Sequence, residues 1–250
     1  MKQTAKDKLI IALDVDHAGL ALELFEELRD CAGMFKIGLQ LFSSAGPDIV
    51  RQIISRGGRV FLDLKFHDIP NTVAGASVEA TRLGVSIFNV HASGGSEMMR
   101  RSLAAVDEVV TREGLVRPKV IAVTVLTSLD ARQLNEIGFQ GEPSSLVTHL
   151  TKQVAACGLD GVVASPQEIA PIREHVAAPG FLIVTPGIRS GQTPADDQRR
   201  VLSAAAALRA GADYLVVGRP VLEASDRALA ARQLLSEIEQ ALSNLKAAQA

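Results

Sequence analysis

Several common signals are missing from this sequence. Charge of one sign is not in excess: 26 Lys and Arg face 28 Asp and Glu, for a net charge of −2. Such a balance leaves no electrostatic footprint for nucleic acid or an anionic membrane, although a small anion can still meet a local basic patch. Cysteine is scarce. Cys31 and Cys157 are the two present, with no C-x-x-C pair and no Cys/His cluster, which argues against a structural zinc site. Both read as small buried hydrophobes. The opening MKQTAKDKLI has no signal-peptide apolar stretch, and no run of about 18 apolar residues occurs anywhere. The expectation is a cytoplasmic protein in a reducing setting. No G-x-G-x-x-G follows the first apolar run, and no Pro/Gly/Ser-rich linker divides the chain.

What is present is alternation. Apolar runs rich in Val, Ile, Leu and Phe occur at 9–15, 34–39, 59–65, 86–91, 119–126, 161–164, 181–185 and 214–217. Their near-continuous hydrophobicity is that of strands buried on both faces. Helical stretches lie between them, including 18–29, 71–83, 96–111, 144–156, 195–210 and 225–245. Gly138–Ser145 reads as loop, and Gly187–Asp197 as a flap after the seventh strand. Eight βα units imply parallel strands with right-handed crossovers. In about 250 residues they predict a (β/α)8 barrel, as one domain over residues 1–250. With 47% hydrophobic residues, the chain has the material for one large core.

A barrel of this kind carries its active site at the C-terminal ends of its strands. Polar groups stand there on most of the runs: Asp14, Lys36, Asp63 with Lys65, His91, Thr127 with Ser128, Ser165, Thr185, and Gly218 with Arg219. Strand alternation puts Asp63 and Lys65 on one side and Leu62 and Leu64 on the other. A plain buried ion pair would explain Asp63 and Lys65 alone. Lys36 on the neighbouring run extends them into an alternating acid–base array. Thr185-Pro186-Gly187-Ile188-Arg189 and Val217-Gly218-Arg219-Pro220 fall in the two loops where such barrels hold phosphate. Glycines there admit backbone N–H groups, a helix N-terminus beyond Pro220 adds dipole, and the arginines add charge-assisted contacts.

DLKFHDIPNT, from Asp63 to Thr72, resembles the D-x-K-x-x-D-I-P-N-T signature of the orotidine 5′-phosphate decarboxylase family. Other landmarks of that family follow in order: ALDVD with Asp14, FKIGLQLF with Lys36, NVHASGG, TVLTS with Thr127, TPGIR with Pro186 and Arg189, DQRR with Gln198, and VGRP with Gly218 and Arg219. The resemblance implies cofactor-free, metal-free decarboxylation of orotidine 5′-monophosphate to uridine 5′-monophosphate, the last step of de novo UMP synthesis. It implies that Lys65 protonates C6, that Asp63 sits beside the substrate carboxylate, and that Lys36 and Asp14 bind the ribose hydroxyls. Thr127 would lie by the base. Arg189, Gln198, Gly218 and Arg219 would hold the phosphate. A homodimer is implied too, with Asp68 and Thr72 donated by the partner.

Three rivals stand beside this reading. A metal-dependent sugar-phosphate decarboxylase or hexulose-phosphate synthase of the same barrel group would want acidic metal ligands, where the second strand offers Lys36. A Schiff-base aldolase would want a neutral Lys65, which flanking carboxylates oppose. A non-catalytic nucleotide sensor would not need the Asp63/Lys65/Lys36 array.

Overall fold

The computed structural model describes residues 4–176, 178–188 and 202–247. Eight parallel strands close into a barrel in sequence order: β1 (Leu9–Ala12), β2 (Met34–Gly38), β3 (Val60–Phe66), β4 (Ile87–His91), β5 (Lys119–Val123), β6 (Gly161–Val163), β7 (Leu182–Thr185) and β8 (Tyr214–Val217). β1 pairs with β8, which removes both sheet edges.

Alternation along each strand sorts the apolar side chains into two separate cores. Ile10, Ala12, Met34, Phe61, Ile87, Ile121, Val184 and Val216 point inward and fill the barrel. Leu9, Ile11, Phe35, Ile37, Leu62, Phe88, Val90, Ile183 and Leu215 point outward and pack under the helices. Both faces are therefore apolar, which is why the strands read as unbroken hydrophobic runs. The interior core is confined to the lower part of the barrel. Above it, the inward positions turn polar, with Lys36 above Met34, Asp63 above Phe61 and Asn89 above Ile87.

The helices follow local rules. Pro70 opens the helix Pro70–Arg82 at a position where its missing N–H costs nothing. Gly114 ends Gly95–Glu113 in the left-handed conformation. Ala18–Leu28, Pro143–Ala156 and Arg227–Ala247 fall within two residues of expectation. Several details differ. β1 and β5 are shorter than their apolar runs, ending at Ala12 and Val123. At the end of β5 the Thr124 hydroxyl donates to the Val163 carbonyl, and the chain turns out of the sheet. Pro143–Ala156 begins inside the stretch expected to be loop, and a further helix, Ala131–Glu136, precedes it with an Asp130 capping box. Of the helix expected over 195–210, Ala204–Ala210 is described. Leu202 instead bridges to Ile188 and Ser203 caps the helix, while residues 195–201 and most of the expected flap fall outside the described residues. Among the described residues, no helix is long and apolar enough to cross a membrane.

Candidate active site

A cleft of about 510 Å³ opens at the C-terminal ends of the strands. That volume lies within the roughly 300–1,000 Å³ typical of small-molecule sites. Its floor is apolar, built from Ala12, Phe61, Val123, Val163 and Val216. Asp14, Lys36, Asp63, Lys65, Arg219 and Glu223 add charge to its walls.

A chain of ion pairs runs across β1, β2 and β3. The Lys36 ammonium lies 2.8 Å from Asp14 Oδ1 and 3.5 Å from Asp63 Oδ2. The Lys65 ammonium donates to Asp63 Oδ1 at 2.7 Å. Two formal positive and two negative charges thus alternate in one row. Lys36 is 8% exposed, so it cannot be solvated by bulk water and depends on its carboxylates. Burial pushes the Asp63 carboxyl up, but Lys36, Lys65 and the hydrogen bonds from Lys65 and Asn89 outweigh it and hold the group below its ordinary value. Gly38 keeps this corner open: a Cβ there would come 2.9 Å from Lys36 Nζ.

The backbone beneath this row departs from a regular strand. Lys65 has φ 53°, and among the described residues it is the only non-glycine with positive φ. A left-handed conformation costs such a residue about 1–2 kcal/mol. Asp63 and Lys65 do share a side, as strand alternation suggests, but on a bulged strand whose register against β4 shifts between Leu62 and Phe66. The Lys65 N–H donates to Asn89 Oδ1 at 2.8 Å, and Asn89 Nδ2 donates to Asp63 Oδ1 at 2.7 Å. Sequence reasoning missed Asn89. Its signal was a lone amide inside the apolar run Ile87–His91.

Pro186, Gly187, Gly218 and Arg219 line the cleft at the tops of β7 and β8, and Gly218 adjoins the ion-pair row, where a Cβ on it would come 3.4 Å from Asp14 Oδ2. Gly187 has φ 78°, a conformation that suits glycine. The short helix there spans Arg219–Leu222, so it begins at Arg219 instead of beyond Pro220, with Gly218 as its N-cap. Thr127 lines the cleft too, next to Leu126 in the chain.

Of the residues singled out from sequence, Asp14, Lys36, Asp63, Lys65, Thr127, Pro186, Gly218 and Arg219 therefore meet around one cavity. Asp68 and Thr72 do not line it. Both are exposed, and Asp68 Oδ1 accepts from the Ile69 N–H at 2.6 Å. Arg189 and Gln198 lie outside the described residues. His91 sits at the end of β4 with its ring 5.2 Å from that of His67. Burial, then His67 and Lys65, push the His91 imidazole down to about 4. Among the described residues, no three His, Cys, Asp or Glu side chains converge as a metal-binding group.

Comparison with known proteins agrees with this geometry. Residues 7–234 match the model of the family described as Orotidine 5′-phosphate decarboxylase / HUMPS family. The chain is 51% identical to a Moorella thermoacetica protein named Orotidine 5′-phosphate decarboxylase, over 96% of this chain and 95% of that one. It is 50% identical to one of the same name from Geobacter sulfurreducens, over 95% and 98%. Its fold superposes on the crystal structure of Orotidine 5′-phosphate decarboxylase from Lactobacillus acidophilus with a TM-score of 0.82 and 34% identity, covering 93% of this chain and 99% of that one. With the family model and full-length relatives pointing the same way, the chain belongs to the orotidine 5′-phosphate decarboxylase family.

Proposed function

We propose that this chain, as one barrel domain over residues 1–250, decarboxylates orotidine 5′-monophosphate to uridine 5′-monophosphate and CO2, with Lys65 as the proton donor and no metal or cofactor. The observation that carries the assignment is the Lys65 ammonium, held 2.7 Å from Asp63 in the same cleft that Arg219 lines. Breaking the C6–carboxylate bond leaves an electron pair in an sp² orbital outside the ring π system. No electron sink receives it, so the developing charge must be met electrostatically. A fixed ammonium beside C6 does this, and then passes a proton to C6. Asp63 orients Lys65 and stands beside the departing carboxylate.

Lys36 and Asp14, already joined at 2.8 Å, offer a donor and an acceptor to the ribose hydroxyls. Thr127 faces the base. The backbone at Pro186–Gly187 and Gly218, with Arg219, receives the phosphate, joined by Arg189 and Gln198. The phosphate lies far from the scissile bond, so its binding energy serves to hold the reacting end of the substrate against Lys65.

We also assign a homodimer in which the partner donates Asp68 and Thr72. Their exposure outside their own cleft supports this, as does Ile69 between them at 67% exposure. A cytoplasmic setting is supported by two free, buried cysteines. The metal-dependent sugar-phosphate rival finds no support. The full-length relatives are named Orotidine 5′-phosphate decarboxylase, and Lys36 Nζ fills the gap between the Asp14 and Asp63 carboxylates. An ultraviolet assay of orotidine 5′-monophosphate with chelator present tests the reading. Steady loss of substrate supports it, and turnover that stops on chelation overturns the metal-free chemistry.

A further inference from the structure

We propose that Asn89 is a positioning residue that shapes the β3 bulge and thereby aims Lys65 and Asp63 into the cleft. The inference rests on the reading of Lys65 as proton donor. The register carries it. Leu62 pairs with Phe88 and Phe66 with Val90, so Asp63, Leu64 and Lys65 all stand opposite Asn89. Three residues against one leave a gap in the backbone ladder. The Asn89 side chain fills that gap. Its amide oxygen accepts the Lys65 N–H at 2.8 Å, and its amide nitrogen donates to Asp63 Oδ1 at 2.7 Å. One planar group therefore ties the backbone of the proton donor to the carboxylate that orients it.

Both ends of the Asn89 amide are engaged by residues of β3. Asn89 is 0% exposed, and it sits between Ile87 and His91 on the inward face of β4. A buried side-chain amide needs partners for both its ends. Here both partners belong to the reacting pair. The Lys65 backbone at φ 53° is the strained element, and the Asn89 oxygen is its anchor on the facing strand. Without it, the bulge is free to relax, and Lys65 Nζ leaves the line set by Asp63.

Asn89→Ala and Asn89→Asp separate this role from packing. Asparagine and aspartate have nearly equal volume, so a packing role predicts that Asn89→Asp is the milder change. A positioning role predicts the reverse order. The new carboxylate cannot donate to Asp63, and it sets a like charge against it. In folded protein, kcat for Asn89→Ala is expected to fall roughly 10- to 100-fold, and further for Asn89→Asp. KM should stay within about threefold, because the phosphate and ribose contacts do not pass through Asn89. Should Asn89→Ala fail to fold, Asn89→Ser, which lacks the reach to Lys65, takes its place with the same expectation. Two variants within about threefold of wild-type kcat, or Asn89→Asp milder than Asn89→Ala, would overturn the proposal. A crystal structure of the alanine or serine variant reads the same point without activity. Lys65 should leave positive φ or separate from Asp63 beyond hydrogen-bond distance, and an unmoved Lys65 contradicts the idea. Inactive wild-type enzyme would sink the proposed reaction but leave this structural readout intact.

Discussion

Lys65 and Asp63 meet at 2.7 Å although the strand that carries both is bulged between them, with Lys65 in the left-handed region. The fold tolerates local strain at the spot where it sets an ammonium against a carboxylate over an apolar floor. Strain retained at such a point is compatible with function, because a relaxed strand would aim the same side chains elsewhere.

Arg219 is expected to matter to the reaction as well as to affinity. Arg219→Ala removes a guanidinium from the cleft wall at the top of β8. If phosphate binding holds the reacting end of the substrate in place, kcat/KM falls by about 100-fold or more, and kcat falls with it. Steady-state kinetics checks this. An unchanged kcat with only KM raised would show that the phosphate contact is uniform binding.

Stability should carry the mark of His91. The folded value near 4 lies below the ordinary value of 6.5. Between those limits the unfolded chain binds a proton that the folded chain refuses. Stability is therefore full above about pH 6.5 and declines as pH falls toward 4. His91 is only partly buried, so the loss is discounted for solvent screening to about 1–2 kcal/mol. Urea midpoints measured at pH 7 and pH 4.5 should fall further apart for wild type than for His91→Gln. Equal slopes would mean that His91 titrates normally.

Gly161 tests the packing of the barrel itself. A Cβ at this position would sit 2.2 Å from the Leu182 carbonyl oxygen on β7. Neither backbone can yield without breaking the β6–β7 ladder. Gly161→Ala should cost about 2–3 kcal/mol, or roughly 5–10 °C in Tm for a domain of this size. A thermal scan within about 1 °C of wild type would contradict this close approach.

Much of the barrel was legible because its strands are apolar on both faces. Phe35 and Ile37 face the helices while Met34 and Lys36 face the interior, so the run reads as unbroken hydrophobicity with one lysine in it. The site was legible because polar residues have few reasons to stand on such runs. Strand ends were less so: nothing in Thr124-Val125-Leu126 marks the point where the chain leaves the sheet, since that is set by Val163 across the ladder. The bulge at Lys65 was invisible to alternation, and with it the part played by Asn89. Both arise from the pairing of two strands, which no single segment encodes. The expected flap after β7, with Arg189 and Gln198, lies outside the described residues, and the proposed donation of Asp68 and Thr72 to a partner's cleft involves a second chain.

The central claim is that the Lys65 ammonium meets the charge left at C6 and supplies its proton. Lys65→Ala, assayed for loss of orotidine 5′-monophosphate by ultraviolet absorbance, tests it most directly. The variant is expected to stay folded, because Asp63 keeps Lys36 and Asn89 as partners. It should still bind uridine 5′-monophosphate, and its kcat should be lower by about 10⁴-fold or more. Turnover within about tenfold of wild type by the folded variant would contradict it.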